Sequence, residues 1–401
     1  MLKHIAGNFR ILHLLSWATA GAYTPFIVIF LMYNNISTAQ IGVVLMLNSL
    51  ATLIGQPLWG MISDKIRSIK KVYLACIFIA SVLIMISPFV KNKYAIFVLL
   101  PAITFFFCCL SPLLDSWTIF SIKNSGRSYG SFRLWGSLGY SIIVIIVGKL
   151  INMSSVNIIF PVYFLLSLIM LLTCGVLFEY KGQEDGSAIK ALSLRELRIG
   201  RLLGNYHYVT FVIMACIMNM TFSSFYSFLP TLMNQVGGND ELYGIATAVS
   251  AFSEVPILLI SSRLIRRFKP QALMLAGLLV YIFRLCIYSI AWSPGIIIFV
   301  QAFQGLSFAL FLSGSIYYID SLAPAELKST AQTVATAIYG GLSGIIGNFV
   351  TGLMISEYGI LFVFKVGAIV DSAVFVLFLA SLYIGRRFRR FSREEDLGLN
   401  N

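Results

Sequence analysis

Twelve long apolar segments follow one another along the chain, separated by short polar stretches. Each has about 20 or more predominantly apolar residues, the length that a helix needs to cross the hydrocarbon core of a bilayer. Alternating strands of about ten residues, which build membrane β-barrels, are absent from the sequence. The pattern predicts membrane-spanning helices at residues 10–33, 40–62, 72–90, 94–120, 133–151, 158–179, 206–233, 241–262, 271–290, 295–320, 331–356 and 360–384.

The longest polar stretch divides the chain into two groups of six segments. The two groups are related in sequence, because Pro57 and Pro256, like Arg67 and Arg266, are 199 residues apart. We expect an all-α polytopic membrane protein with two six-helix bundles that enclose a site at mid-depth, as in transporters with parallel repeats. The expected parts are an N-terminal bundle at 1–180, a cytoplasmic linker at 181–205, a C-terminal bundle at 206–385 and a cytoplasmic basic tail at 386–401.

Composition agrees with a membrane protein and excludes a soluble enzyme. Hydrophobic residues make up 58% of the 401 residues and charged residues only 11%, whereas a soluble domain carries about 25% charged residues. The net charge is +13, and the basic residues are concentrated in alternate connections and near the C-terminus. Because cytoplasmic loops are enriched in basic residues, we expect a multi-pass protein of the cytoplasmic membrane with both termini in the cytoplasm.

No motif in the sequence indicates a cofactor, a metal or nucleic acid. The six cysteines all lie inside apolar segments and the three histidines are scattered, without the spacing of metal sites. The basic residues form no stripe interleaved with exposed aromatics, and the ATP-binding P-loop pattern is absent. We expect a monomer without cofactors, whose partners are the lipid bilayer, protons and a small-molecule substrate.

A short polar motif follows the second apolar segment and reads Gly60-Met-Ile-Ser-Asp64-Lys65-Ile-Arg67. It resembles the G-x-x-x-D-R/K signature of the major facilitator superfamily. Neighbouring stretches are similar to the subgroup of this superfamily that holds lactose permease, phenylpropionate permease and nucleoside–proton symporters. These stretches are Gln56-Pro-Leu-Trp-Gly60 and Tyr129-Gly-Ser-Phe-Arg-Leu-Trp-Gly-Ser-Leu-Gly-Tyr140. The resemblance extends over essentially the whole chain and implies a twelve-helix transporter that is not an enzyme.

The polar motif is the candidate for a gate between conformations. Contacts that form in one conformation and break in the other set the equilibrium between the two. In the second half, Arg263 stands at the position of the motif aspartate, and Asp320 with Lys328 is the candidate counterpart. The alternative is a solvated loop without a gating role. The predicted gating residues are Gly60, Asp64, Lys65, Arg67 and Asp320.

Several polar residues that fall within the spans are candidates for binding a solute, since a charge there costs at least about 2.5–3.5 kcal/mol. Asp115 and Arg133, on adjoining segments, can neutralise each other and still bind a polar ligand, and the planar Arg fork suits vicinal hydroxyls or a carboxylate. Tyr140 lies two turns deeper on the face of Arg133, where it can stack on a sugar ring or an aryl group. Gln304 is an uncharged hydrogen-bonding candidate. The alternative is that Asp115 and Arg133 only anchor helix ends.

Three further charged residues within the spans are candidates for proton coupling. Glu254 lies in the eighth segment, two residues before Pro256, and Arg284 in the ninth is its candidate counter-charge. Asp371 in the twelfth segment is a second acidic candidate. A static ion network within the second half is the alternative.

The resemblance also shows one position pair at which this sequence differs from the family pattern. Arg284 falls close to the coupling arginine of lactose permease, and the spacing from Asp115 to Arg133 is similar to that of its galactoside-binding pair. The histidine and glutamate of its tenth helix, however, correspond to Gln304 and Ser307 here. Any proton coupling must therefore run through Glu254 or Asp371.

These features predict a secondary active transporter that takes up a small solute with protons by alternating access. A sugar or glycoside is the first substrate class, followed by an aromatic carboxylate or a nucleoside. A drug or metabolite exporter and an uncoupled facilitator are the alternatives. A membrane sensor without transport activity is the least favoured, because no appended soluble domain supports it.

Overall fold

The computed structural model describes residues 2–90, 92–122, 130–176, 202, 204–324 and 327–396. Within these residues the chain forms helices and turns and no strand, and twelve helices are long and apolar enough to cross a membrane. The predicted all-helical class and the number of spans are confirmed. Most of the predicted linker, 181–205, lies outside the described residues.

The twelve helices are numbered in chain order, and four of them consist of two α-helical pieces. The first six are α1 (Leu2–Tyr23 and Ile27–Tyr33), α2 (Thr38–Ile66), α3 (Ile69–Ile86), α4 (Lys93–Phe107 and Leu110–Ile122), α5 (Gly130–Met153) and α6 (Ile159–Val176). The last six are α7 (Tyr206–Gln235), α8 (Asp240–Arg267), α9 (Pro270–Ser289), α10 (Pro294–Gln301 and Leu310–Leu322), α11 (Lys328–Thr336 and Ser343–Tyr358) and α12 (Ile360–Asp396).

Helix α12 continues to Asp396, so part of the stretch predicted as a cytoplasmic basic tail, 386–401, is helical. Likewise α2 extends past the predicted residue 62 to Ile66. Helices therefore run on beyond the apolar stretches that indicate them.

Two close helix pairs join the first six helices to the last six. In the α2–α11 pair, a Cβ atom added to Gly352 would lie 2.6 Å from the Cα of Gly42. In the α5–α8 pair, a Cβ atom on Gly148 would lie 2.7 Å from the carbonyl oxygen of Asp240. Residues without a side chain let transmembrane backbones approach this closely. Both contacts lie near the end of the bundle that carries residues 34–37 and 236–239, here called the distal end.

The distal end is also closed by side chains from both sets of helices. The Tyr33 hydroxyl donates to Asp240 Oδ2 at 3.2 Å, and the Tyr243 hydroxyl donates to the Pro25 carbonyl oxygen at 3.1 Å. The Tyr243 ring packs edge-on against Phe26 with the centroids 5.9 Å apart. In the opposite half of the bundle, called proximal, a cavity of about 550 Å³ lies between α2 and α11. The two sets of helices are therefore tightly joined distally and separated proximally.

Candidate functional site

A cavity of about 370 Å³ lies at mid-depth between the two sets of helices. One wall comes from α1, α4 and α5, and the other from α7, α8 and α10. The lining includes Arg133, Tyr140 and Gln304, three of the four predicted substrate-binding residues, and the predicted proton-coupling residue Glu254. Ligand sites are typically concave and largely apolar with a few convergent polar groups, so this cavity is the candidate site.

The wall formed by the first six helices presents a stacked cation. The Arg133 Cζ atom lies 3.8 Å from the centroid of the Trp17 ring, a cation–π contact. Gly136, one turn along α5, packs against the same ring. Arg133 Nη1 and Trp17 Nε1 are both buried without a hydrogen-bond partner. Because buried polar groups are almost always partnered, this wall offers two donors to an accepting ligand.

The opposite wall presents an acid and an amide. Gln304 Nε2 donates to Glu254 Oε1 at 3.4 Å, and the Gly305 backbone N–H donates to Ser253 Oγ at 2.9 Å. Helix α10 becomes a π-helix over Gly305–Ala309, a feature that frequently marks functional sites. The close crossing of α8 and α10 at Gly305 thus brings the Glu254 carboxyl group beside Gln304.

We expect Gly305→Ala to destabilise the protein measurably, because a Cβ atom there would clash with the backbone carbonyl oxygen of Ser253. Overpacking of this kind costs about 1–3 kcal/mol. The thermal unfolding midpoint of the purified protein in detergent measures the effect. Gly175→Ala is the matched control, since no atom lies within 4 Å of a Cβ atom at that position. Equal midpoints for the two variants would contradict the close crossing.

Tyr140 connects the two walls. Its hydroxyl oxygen lies 3.2 Å from that of Tyr226 on α7, and its ring is edge-on to Trp17 at a centroid distance of 6.3 Å. Phe222 and Phe308, which also line the cavity, stack with centroids 5.2 Å apart and an interplanar angle of 10°. The cavity therefore combines aromatic surfaces with a few hydrogen-bonding groups.

Asp115 occupies a different place from the other predicted substrate-binding residues. It lies on α4 and does not belong to the lining of the cavity. The Arg133 guanidinium is stacked on Trp17. The role of Asp115 in binding stays a prediction, and Trp17, which sequence reasoning missed, lies beside Arg133.

Arg284 is buried behind the second wall and is held by neutral partners. Its side chain is 3% exposed. Nη1 donates to Ser307 Oγ at 2.7 Å, and Nη2 donates to Gln301 Oε1 at 2.8 Å. Among the described residues it forms no ion pair with Glu254, its predicted counter-charge. Gln304 and Ser307, the positions that depart from the family pattern, thus bind Glu254 and Arg284 respectively.

Asp371 is a second buried charged group in the last six helices. Its side chain has no solvent exposure. The Thr221 hydroxyl on α7 lies 2.7 Å from Asp371 Oδ2 and donates to it, while Oδ1 has no hydrogen-bond partner. The residue therefore lies inside the helix bundle, away from the cavity lining, and its predicted coupling role stays a prediction.

Gly60, Asp64 and Lys65, three of the predicted gating residues, lie in the last two turns of α2 on the proximal side. Arg67 ends α2 with a positive φ of 53°, and its backbone N–H donates to the Asp64 carbonyl oxygen at 3.1 Å. The side chains of Asp64, Lys65 and Arg67 are exposed, and no atom lies within 4 Å of a Cβ atom placed on Gly60. Their gating role stays a prediction.

The second predicted gating element is an exposed ion pair. Lys328 Nζ lies 2.7 Å from Asp320 Oδ2, and the two side chains are 46% and 53% exposed. Exposed pairs contribute about 0–1 kcal/mol to stability. We therefore expect Asp320→Asn to leave the unfolding midpoint nearly unchanged while altering the transport rate. Glu357→Gln, at an exposed acid near the distal end, is the control, and equal rates for both variants would contradict a gating role.

The comparisons with known proteins agree on the class of protein, a membrane transporter. The sequence model of the MFS_1-like family matches residues 7–366. A maltose permease of Geobacillus stearothermophilus is 27% identical over 354 residues, which cover 88% of each chain. A lactose permease of Klebsiella oxytoca is 24% identical over 84% of this chain and 85% of its own.

A solved structure is similar over nearly the whole length. The crystal structure of the nucleoside transporter NupG superposes with a TM-score of 0.82, covering 94% of this chain and 99% of that one. Its sequence is 18% identical, so this likeness establishes the fold alone. The predicted resemblance to transporters of this superfamily is confirmed.

Proposed function

The chain belongs to the MFS_1-like family and is a secondary transporter of small solutes in the plasma membrane, and from this premise we propose that it takes up a sugar or glycoside together with protons. The observation that carries the proposal is the unpartnered Arg133 fork on Trp17, opposite Glu254 and Gln304. The planar guanidinium fits two adjacent hydroxyl groups. An aromatic ring fits the apolar face of a sugar.

The walls of the cavity support this substrate class. The first wall offers donors, Arg133 Nη1 and Trp17 Nε1, and the second offers the acceptor oxygens of Glu254. Sugar hydroxyls donate and accept at once, so a single sugar can satisfy both walls. The names of two relatives, a maltose permease and a lactose permease, agree with this class.

The proposed uptake proceeds by alternating access. With both termini in the cytoplasm, the proximal end faces the cytoplasm, and the closed distal end faces outward. The cavity of about 550 Å³ between α2 and α11 then lies on the route by which the solute leaves. A solute shifts the equilibrium between inward and outward states only by its difference in affinity for the two.

The proposed coupling acid is Glu254. Its carboxyl group lies on the cavity wall, beside the Gln304 amide that donates to it. A proton taken up there neutralises the acid in the solute-loaded protein and leaves with the solute on the cytoplasmic side. Asp371 is the second candidate, because it is buried within the same set of helices.

An aromatic carboxylate is a second candidate substrate. The stacked Phe222 and Phe308 rings form a flat apolar surface in the cavity, and Arg133 suits a carboxylate as well as two hydroxyls. In this case the aryl group contacts the phenylalanines and the carboxylate binds the guanidinium.

Uptake into proteoliposomes tests the proposal. Purified protein is supplied with maltose, lactose, a nucleoside or 3-phenylpropionate, and solute uptake and external pH are recorded together. We expect uptake of a sugar accompanied by alkalinisation outside. Uptake restricted to the nucleoside or the aryl acid would overturn the sugar class. Sugar uptake without a pH change would overturn proton coupling and leave a facilitator.

A further inference from the structure

A second, much smaller cavity lies behind the wall formed by the last six helices. Its volume is about 20 Å³, and its lining includes Tyr281, Arg284 and Gln304. Gln304 also lines the central cavity, and together with Phe222 and Tyr226 it separates the two spaces. A buried cavity needs about 10–15 Å³ of this kind of volume to hold a water molecule. The small cavity is therefore large enough for one water and too small for a solute.

Three polar atoms on the residues that line this cavity are buried without a hydrogen-bond partner. They are Tyr281 Oη, Arg284 Nε and Gln304 Oε1. Each of the three side chains is 3% exposed. One atom is a donor, one is an acceptor and the hydroxyl is both. A buried water typically makes two to four hydrogen bonds to such otherwise unsatisfied groups.

We propose that the small cavity is a binding site for one water molecule. The water accepts a hydrogen bond from Arg284 Nε, donates one to Gln304 Oε1 and makes a third with the Tyr281 hydroxyl. All three atoms are then partnered, as buried polar groups in proteins generally are. Its existence does not depend on which solute is carried.

The water positions the Gln304 amide. With Oε1 turned toward the water, Nε2 is turned toward Glu254, as observed at 3.4 Å. A flipped amide would place its oxygen against the Glu254 carboxylate and its NH₂ group toward the water, which already accepts from Arg284 Nε–H. The water therefore favours the orientation that puts a donor beside the acid. This step rests on the proposed function, because it makes Gln304 a positioning residue for Glu254.

A crystal structure of the wild-type protein that resolves ordered waters provides the direct test. We expect one density peak within hydrogen-bond distance of Tyr281 Oη, Arg284 Nε and Gln304 Oε1. A site without density, or a direct contact between Gln304 Oε1 and Arg284 Nε, would overturn the proposal. This readout needs no transport, so it separates failure of the water site from failure of the proposed function.

Hydroxyl-radical footprinting of two matched variants provides the second test. Tyr281→Phe removes one partner of the water, whereas Tyr288→Phe removes a hydroxyl that lines the same cavity but bonds directly to Arg284 Nη2. Loss of one hydrogen bond weakens the binding of the water about fivefold. We expect labelling of the cavity residues to fall, by up to that factor, in Tyr281→Phe and to persist in Tyr288→Phe. Equal labelling in both variants would contradict the assigned partners.

The functional step has its own readout. We expect Tyr281→Phe to raise the KM for solute about fivefold with little change in kcat, since Gln304 loses its fixed orientation. If wild-type protein transports and the variant keeps its KM, the positioning step is wrong even though the water is present. If wild-type protein carries none of the tested solutes, the proposed function fails and the crystallographic result still decides the water site.

Discussion

Replacing Arg133 by alanine should weaken solute binding about 10- to 100-fold. The substitution removes the cation stacked on Trp17 and the donor Nη1, which has no partner within the protein. A hydrogen bond to a charged group contributes about 1.5–3 kcal/mol, so the affinity should fall about 10- to 100-fold. Isothermal titration of purified protein with the best solute of the uptake screen measures the change.

Two further variants make this result specific. Lys149→Ala removes a positive charge from the same helix at an exposed position outside the cavity, and it should bind like wild type. Arg133→Lys keeps the charge but loses the planar fork, so we expect an affinity between those of wild type and Arg133→Ala. Unchanged binding by Arg133→Ala would show that the solute does not contact this wall.

Glu254→Gln should eliminate proton-driven accumulation while leaving exchange of solute across the membrane intact. The variant keeps the shape of the side chain beside Gln304 but carries no exchangeable acidic proton. With one proton per solute, a pH gradient of one unit supports about tenfold accumulation. Wild-type accumulation should therefore rise as the external pH falls, and the variant should reach a ratio of about one at every gradient.

Proteoliposomes with an imposed pH gradient provide the measurement, and two other acids provide the comparison. Glu357→Gln removes an exposed acid near the distal end and should accumulate solute like wild type. If Glu254→Gln accumulates normally and Asp371→Asn does not, the coupling acid is Asp371. If neither variant differs from wild type, neither Glu254 nor Asp371 carries the proton.

The number and type of helices were predictable because the bilayer acts on each segment separately. A chain in hydrocarbon must satisfy its backbone hydrogen bonds within the segment, so an apolar stretch of sufficient length indicates a helix whatever its neighbours. The segment predicted at 206–233 is the helix Tyr206–Gln235. The π-helical stretch at Gly305–Ala309 was not predictable in this way, because it depends on the crossing with α8 rather than on the composition of α10.

The sequence by itself determined that this protein is a twelve-helix membrane protein with several polar and charged residues inside its spans. It also indicated Arg133, Tyr140, Glu254 and Gln304, which line one cavity, because a polar group between membrane helices is costly unless it binds something. Only the tertiary structure decided which of these residues meet. Trp17 looks like an ordinary apolar packing residue in the sequence. It reaches Arg133 because Gly136, which lies on α5 rather than on the helix of Trp17, has no side chain in the way.

The tertiary structure also decided the surroundings of the charges. Arg284 bonds Ser307 and Gln301 rather than Glu254, and Asp115 lies outside the cavity lining. The composition of a helix indicates the free energy of inserting it into the membrane, because that free energy is a sum over the residues of the helix itself. Partners are set by the rotation and crossing of helices that are far apart in the chain, and these follow from packing at contacts such as Gly42 on Gly352.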